Sequence, residues 1–278
     1  MRFPKKRYPF RVGTTSYIVQ AGLCENLLWL SDRVDDMQLV LFDSPGCSNL
    51  PSEAEVENLK NISREKEISV SVHLPVSIEL GDPDPAIRRS SAELFKRTVE
   101  LTAPLDPSFW VFHVTGAPAF ASMRTTDFVA LETCKVRVYE ALSPLMDLFD
   151  DSRKLAIENV LPHFYIEPEF VSAFDTAVCI DIGHLLCHGQ DVDEHLARWI
   201  RRCRSVHLHG VDVNGIDHQS LHCIPRTLLS HILKKLQQLG FGGTLTLEVF
   251  EREGFERSIV ALEAAYSDDL SSESIQFL

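Results

Sequence analysis

The sequence predicts a single (β/α)₈ barrel, the TIM-barrel fold, on three observations. Short apolar runs alternate eight times with segments of helical periodicity, as expected of buried parallel strands joined by helices. No linker or change of composition interrupts this alternation. The length of 278 residues, 45% of them hydrophobic, suits one barrel of about 250 residues better than two small domains. We therefore expect an N-terminal extension at 1–9, the barrel at 10–266 and a polar tail at 267–278.

In the first half of the chain, each predicted strand is an apolar run that is followed by a helix start or by turn residues. Ser52 and Glu55, three residues apart, form a capping-box pattern that predicts the start of the second helix. Asp43, at the predicted end of strand two, is expected either to orient a ligand histidine or to pair with a neighbouring Arg or Lys. The predicted strands are FRVGTT, QLVLFD, ISVSVHL and FWVFHV, and the predicted helices lie at about 22–33, after Pro51, and at 84–101.

The second half continues the alternation with four more strands. Pro144 predicts a kink or a restart in the helix expected over 126–149. An open, doubly wound sheet is the alternative architecture, but no glycine-rich phosphate-binding motif follows any strand, which argues against its nucleotide-binding form. The predicted strands are LAIEN, AVCIDI, SVHLHG and TLTLEVF, and the predicted helices lie at about 168–174, 192–203, 225–239 and 255–266.

Charge and cysteine content limit the partners and the compartment. A formal net charge of -13 repels polyphosphates, so no nucleic-acid partner is expected. The seven cysteines include no CxxC pair, and the N-terminal MRFPKKRYPF lacks the apolar core of a secretory signal. No apolar run approaches the roughly 18 residues of a membrane span. The sequence therefore predicts a cytoplasmic protein that acts on a small molecule.

Histidine and carboxylate side chains end most of these apolar runs. A lone histidine in such a place is usually a core or capping residue, but here the pattern recurs at equivalent places, where burying an unpaired charge costs several kcal/mol. A shared metal removes these costs, and imidazole with carboxylate suits zinc, manganese or iron. The strand ends of a barrel meet at one mouth, so we predict a divalent metal centre there. The residues are His73, His113, Glu158, Asp181, His184, His207, His209 and Glu248.

These positions resemble the xylose isomerase-like barrel superfamily, and more closely its endonuclease IV branch, over about residues 10–265. The resemblance implies three metal ions, and we expect two or three divalent ions here because the ligands of the third depart from the pattern of that branch. It assigns the first ion to His73, His113 and Glu158. It assigns the second ion to Glu158, Asp181, His207 and Glu248.

The third ion of that branch is implied to bind His184 and a D-x-H pair in the loop VHLHGVDVNGIDHQSL. His218 matches the histidine of the pair. The aspartate is displaced, because Asp217 is adjacent to His218 and not two residues before it. Either Asp217 or Asp212 is left to fill that role.

Two chemistries use a metal centre of this kind. Clustered ions favour phosphoester hydrolysis, because they lower the pKa of water and neutralise phosphoryl charge. A single-ion sugar isomerase or epimerase has less use for His73, His113 and His218, so the sequence favours hydrolysis, with Glu158, Glu248 and His184 as the catalytic residues. His209 lies two residues from His207 on the same strand face, so the choice between them stays open. The isomerase set is Glu158, Asp181, His207 or His209, and Glu248.

A finer resemblance lies in four stretches: RYPFRVGTTSYIV, LVLFDSPGCSNLP, HLPVSIELGD and HLHGVDVNGIDHQSL. Together they are similar to the cobamide-remodelling phosphodiesterases. That resemblance implies hydrolysis of the nucleotide-loop phosphoester of adenosylated cobamides, such as cobalamin and pseudocobalamin, to a cobinamide phosphate and an α-riboside. A non-catalytic corrinoid or sugar binder is a further alternative.

Overall fold

Eight parallel strands form a closed barrel, which confirms the predicted fold class. The computed structural model describes residues 3–114, 128–160 and 167–273. Around the barrel the strands follow the order β1, β10, β9, β8, β7, β6, β5, β2. The barrel strands are β1 (Arg11–Thr15), β2 (Asp36–Val40), β5 (Ser69–His73), β6 (Trp110–His113), β7 (Leu155–Glu158), β8 (Ala177–Asp181), β9 (Cys203–Leu208) and β10 (Thr244–Leu247).

Helices connect the strands, and side-chain caps define where two of them begin. Ser52 and Glu55 form the predicted capping box, with the Ser52 N–H donating to Glu55 Oε2 at 2.9 Å and the Glu55 N–H donating to Ser52 Oγ at 3.3 Å. Asp84 caps the next helix by accepting the Ala86 N–H at 2.7 Å. The helices are α1 (Leu23–Leu30), α2 (Glu53–Lys66), α3 (Pro85–Thr102), α4 (Phe128–Leu142), α5 (Glu167–Phe174), α6 (Ile182–Cys187), α7 (Val192–Trp199), α8 (Arg226–Gln238) and α9 (Arg252–Glu273).

The chain divides into two compact units. The first unit comprises Met1–Gln38, Ile62–Ser69 and Ile180–Leu278, and the second comprises Leu39–Asn61 and Val70–Cys179. In the first unit, β10 pairs with β1 and with β9, so that Thr244 is the register partner of both Arg11 and Ser205. In the second unit, β6, β7 and β8 lie side by side, and the register partners Val111, Ala156 and Ala177 are all buried.

The prediction that strand two ends at Asp43 is wrong. β2 ends at Val40, and Asp43 begins the two-residue strand β3 (Asp43–Ser44), which pairs with β4 (Cys47–Ser48) in an antiparallel hairpin. The side chain of Asn49 accepts the Phe42 N–H at 2.7 Å and donates to the Val40 carbonyl at 2.8 Å, which holds the chain in this loop. The Asp43 carboxylate forms an ion pair with Arg97. Pairing with an arginine is therefore confirmed, although both side chains are partly exposed.

The helical segments differ from the prediction at three places. α4 ends at Leu142 and a 3₁₀ helix over Ser143–Leu148 follows, with Pro144 in its first turn, so the predicted restart is confirmed. The predicted start of that helix, Thr126, lies outside the described residues. α9 continues to Glu273, beyond the predicted end at residue 266, and the short helix α6 was not predicted. No helix in the described part of the chain is long and apolar enough to cross a membrane.

Candidate metal centre

In the second unit, two histidines and a glutamate converge at the ends of three adjacent strands. His73 ends β5, His113 ends β6 and Glu158 ends β7. The two Nε2 atoms lie 3.1 Å apart, and Glu158 Oε2 lies 3.4 Å from His73 Nε2 and 3.1 Å from His113 Nε2. His73 Nδ1 lies 2.8 Å from the Leu74 carbonyl, so its proton belongs on Nδ1 and its Nε2 is a lone-pair donor. The three residues predicted for the first ion are therefore together.

In the first unit, two buried carboxylates face one buried imidazole. His207 Nδ1 lies 3.3 Å from Glu248 Oε2 and 3.9 Å from Asp181 Oδ2. The amide of Gln38 lies 3.1 Å from His207 Nε2 and so fixes the orientation of the ring. Asp181 and His207 are fully buried and Glu248 is 5% exposed. Two carboxylates at such depth favour a cation between them.

Three imidazoles form a further group in the first unit. The ring of His209 stacks on that of His218 with centroids 4.3 Å apart, and the ring centroid of His184 lies 5.5 Å from that of His209 and 5.8 Å from that of His218. The backbone N–H of His218 donates to His209 Nδ1 at 2.9 Å. Asp181 borders the group, with its carboxylate 3.3 Å from both His184 Nδ1 and His209 Nε2. His209 thus joins the residues predicted for the third ion, while His207 lies with Asp181 and Glu248.

The two candidate aspartates of the loop have other contacts in the described structure. Asp212 accepts the N–H groups of Asn214 and Ile216 at 2.8 and 2.9 Å, so it caps its own loop. Asp217 Oδ1 lies 2.9 Å from His218 Nδ1. Asp217 thus orients the His218 ring, and its predicted role as a direct ligand stays a prediction.

Nearby carboxylates alter the protonation of this group in the absence of an ion. Burial alone would lower the pKa of His218, but the contacts with Glu248 and Asp217 outweigh it and raise the pKa to about 9. Burial likewise opposes protonation of His209, and the charge and hydrogen bond of Asp181 reverse this and raise its pKa. Burial would raise the pKa of Asp217, yet its bond to His218 lowers it. The carboxylates therefore favour the protonated, positively charged form of the His209 and His218 imidazoles.

Two features that position the histidines escaped the sequence reasoning. The Asp181 carboxylate caps α6 by accepting the His184 N–H at 2.7 Å, which fixes the backbone of that histidine. Gly183 lies directly against the buried His209 ring, where an added Cβ would be 2.1 to 2.4 Å from three ring atoms. The sequence IDIGH contains both signals: Asp181 stands three residues before His184, and Gly183 stands directly before it.

The donor chemistry of these groups fits divalent metal ions. Within each group, one ligand atom from each residue lies within 4.8 Å of the others. Imidazole nitrogen and carboxylate oxygen suit zinc, manganese and iron. The groups that fit are His73, His113 and Glu158; Asp181, His207 and Glu248; and His184, His209 and His218.

Residues 34–278 match the family model described as a xylose isomerase-like TIM barrel, and the chain belongs to that family. No match was found among curated proteins. Similar solved structures include a D-tagatose 3-epimerase-like protein, with 17% identity, a TM-score of 0.73 and coverage of 96% of this chain and 100% of that one.

Two further solved structures resemble this chain to a comparable degree. A D-psicose 3-epimerase determined in the presence of D-fructose has 16% identity and a TM-score of 0.68, covering 91% of this chain and 97% of its own. The 3-keto-D-glucoside 4-epimerase YcjR from E. coli has 12% identity and a TM-score of 0.69, covering 93% of this chain and 99% of its own. At such identities the likeness is one of fold.

Proposed function

We propose that the protein is a metal-dependent phosphoesterase that binds more than one divalent ion. The observation that carries the proposal is the number of gathered imidazoles. Five histidines lie in two groups in addition to His207, the imidazole of the Asp181–Glu248 pair. One ion held by two carboxylates and one imidazole does not need them. The five are His73, His113, His184, His209 and His218.

Each group has a distinct role in this proposal. When bound, the ions supply charge neutralisation at the phosphoryl oxygens and a lowered pKa for water. His73 and His113 orient their Nε2 atoms beside the Glu158 carboxylate, whose burial keeps competing water away. Asp217 holds the His218 ring through Nδ1 and directs Nε2 toward Glu248, 3.6 Å away. Glu158, Glu248 and His184 remain the proposed catalytic residues.

For the substrate we propose a cobamide, cleaved at the phosphoester of its nucleotide loop. The support is the resemblance of four loop stretches to the cobamide-remodelling phosphodiesterases. The three similar structures named above are a sugar epimerase-like protein and two sugar epimerases, so the cobamide proposal depends on the loop stretches alone. The products would be a cobinamide phosphate and an α-riboside.

A sugar epimerase is the second candidate, and the comparisons favour it over the cobamide assignment. The three similar structures named above are two sugar epimerases and one epimerase-like protein. Asp181, His207 and Glu248 are also three of the four members of the isomerase set, the fourth being Glu158. In that reaction Glu158 and Glu248 would move a proton at the carbon next to a carbonyl.

One set of assays separates the two candidates. Metal-loaded protein is incubated with adenosylcobalamin, pseudocobalamin and, separately, with D-tagatose and D-psicose, and products are resolved by chromatography. We expect a phosphate-bearing corrinoid, and at least about a 100-fold loss of its formation in His113→Ala, because losing a ligand exceeds the 10- to 100-fold effect of outer-shell changes. The control is His231→Ala, which removes a half-exposed imidazole bonded to Asp193. The phosphoesterase would be refuted if the cobamides stay intact and the ketoses are epimerised at the same rate by the wild-type protein and by His113→Ala.

A further inference from the structure

A cleft of about 410 Å³ opens in the first unit beside the three-histidine group. Its volume lies within the range of small-molecule sites, about 300 to 1,000 Å³. The loop after β9, the residues after β10 and the first turns of α9 form its walls. The side chains that matter for its chemistry are His218, His222, Phe250, Glu251, Glu253 and Arg257.

The carboxylates of the cleft favour a ligand with hydroxyl groups. Arg257 is the one arginine or lysine of the lining, and its NH1 already lies 3.6 Å from Glu253 Oε1. Glu251 adds a second carboxylate. Apart from its histidines, the cleft offers an anion two carboxylates and one cation that Glu253 already shares, whereas sugar hydroxyls donate well to carboxylates.

An aromatic ring forms the apolar side of the cleft. Phe250 is 42% exposed, unlike its neighbour Val249, which is buried. The ring centroid of Phe250 lies 5.4 Å from that of His218 and 6.2 Å from that of Tyr17, so two other rings hold it in place. A fixed, exposed ring of this kind is a stacking surface for a flat ligand.

We propose that this cleft binds an uncharged riboside, with its heteroaromatic base against Phe250 and its sugar hydroxyls toward Glu251 and Glu253. The proposal rests on the phosphoesterase function, since it assigns the cleft to the nucleoside side of the scissile phosphoester. Because His218 lines the cleft, the nucleoside side of the substrate would lie next to the three-histidine group. The cleft thus selects the leaving portion of the substrate by its base and its sugar.

The test is equilibrium binding of adenosine, D-ribose and inorganic phosphate to the wild-type protein and to variants. Adenosine is expected to bind, and Phe250→Ala is expected to weaken it by about 5- to 150-fold, the effect of losing one base–aromatic stack. Phe250→Tyr keeps the ring and should keep the affinity. Val213→Ala, at a fully exposed position of the neighbouring loop, is the control and should change nothing.

Three results would overturn the assignment: no adenosine binding by the wild-type protein, equal binding by Phe250→Ala, or displacement of adenosine by phosphate. Thermal unfolding of each variant shows that the fold is kept. Adenosine binding that depends on Phe250, in a protein that cleaves no phosphoester, would leave the cleft assigned and remove the proposed function. Phosphoester cleavage together with adenosine binding that does not depend on Phe250 would support the proposed function and remove the assignment of the cleft.

Discussion

Replacing Gly183 with alanine tests whether the backbone of α6 positions the three-histidine group. The new Cβ would lie 2.1 Å from His209 Cε1 and 2.2 and 2.4 Å from the two ring nitrogens, well inside van der Waals contact. Because His209 is fully buried, its ring cannot move into solvent. The ring, or the start of α6, must therefore shift by about 1.4 Å, since ordinary carbon contacts begin near 3.5 Å.

Two effects of opposite sign determine the size of the change. Gly183 lies inside a helix at a conformation open to alanine, and this exchange would ordinarily stabilise a helix by about 0.5–1 kcal/mol. Overpacking of a buried site costs about 1–3 kcal/mol, and disturbing the bond from the His218 N–H to His209 Nδ1 adds about 1 kcal/mol. We therefore expect a net loss of about 1–3.5 kcal/mol in the free energy of unfolding.

The assay is urea unfolding of Gly183→Ala together with metal content by elemental analysis. The matched control is Gly242→Ala, where an added Cβ meets no atom within 4 Å. Gly183→Ala should lose stability and at least part of one ion per chain, while Gly242→Ala should be near neutral in both. Equal stability of the two variants, with equal metal content, would refute the positional role of Gly183.

Further predictions concern protonation and helix capping. The pKa of His218 is about 9 in the fold and near 6.5 when unperturbed. Its protonation therefore stabilises the metal-free fold fully below pH 6.5, and this stabilisation is lost as the pH rises to about 9. The urea midpoint should fall over that pH window, and it should fall less in His218→Ala than in the wild type. Asp217→Asn should lower the pKa of His218, and NMR titration of the metal-free protein checks this, with an unchanged pKa contradicting it. Zinc binding near pH 7.5 should release a proton from His218, seen as a calorimetric enthalpy that depends on the buffer; no such dependence would contradict it. Ser52→Ala should cost about 1 kcal/mol in urea unfolding through loss of the α2 capping box, and a neutral result would show that the box is dispensable.

Much of the fold could be predicted because strand and helix periods differ and because strand ends are marked. His73, His113, Glu158 and Asp181 are each the last residue of a barrel strand, as their apolar runs indicate. Such runs are visible in the local sequence, and the C-terminal ends of parallel strands in a closed barrel all face the same mouth. The first group of candidate ligands therefore follows from sequence.

The remaining details depend on contacts between residues that no local pattern reveals. Asp43 leaves its strand because the Asn49 side chain bonds backbone groups of the preceding loop. His209 joins His184 and His218 because the conformation of the intervening loop brings His218 back to it. α6 has only six residues, too few for a helical period, so neither that helix nor the fit of Gly183 was predicted.

The number of ions per chain tests the central claim most directly. Protein loaded separately with zinc, manganese and iron and then freed of unbound metal is measured by elemental analysis, beside His113→Ala treated in the same way. We predict two or three ions per wild-type chain for at least one metal, and about one fewer in His113→Ala. One ion per chain in both proteins, with every metal, would contradict a multi-ion phosphoesterase and leave the single-ion epimerase.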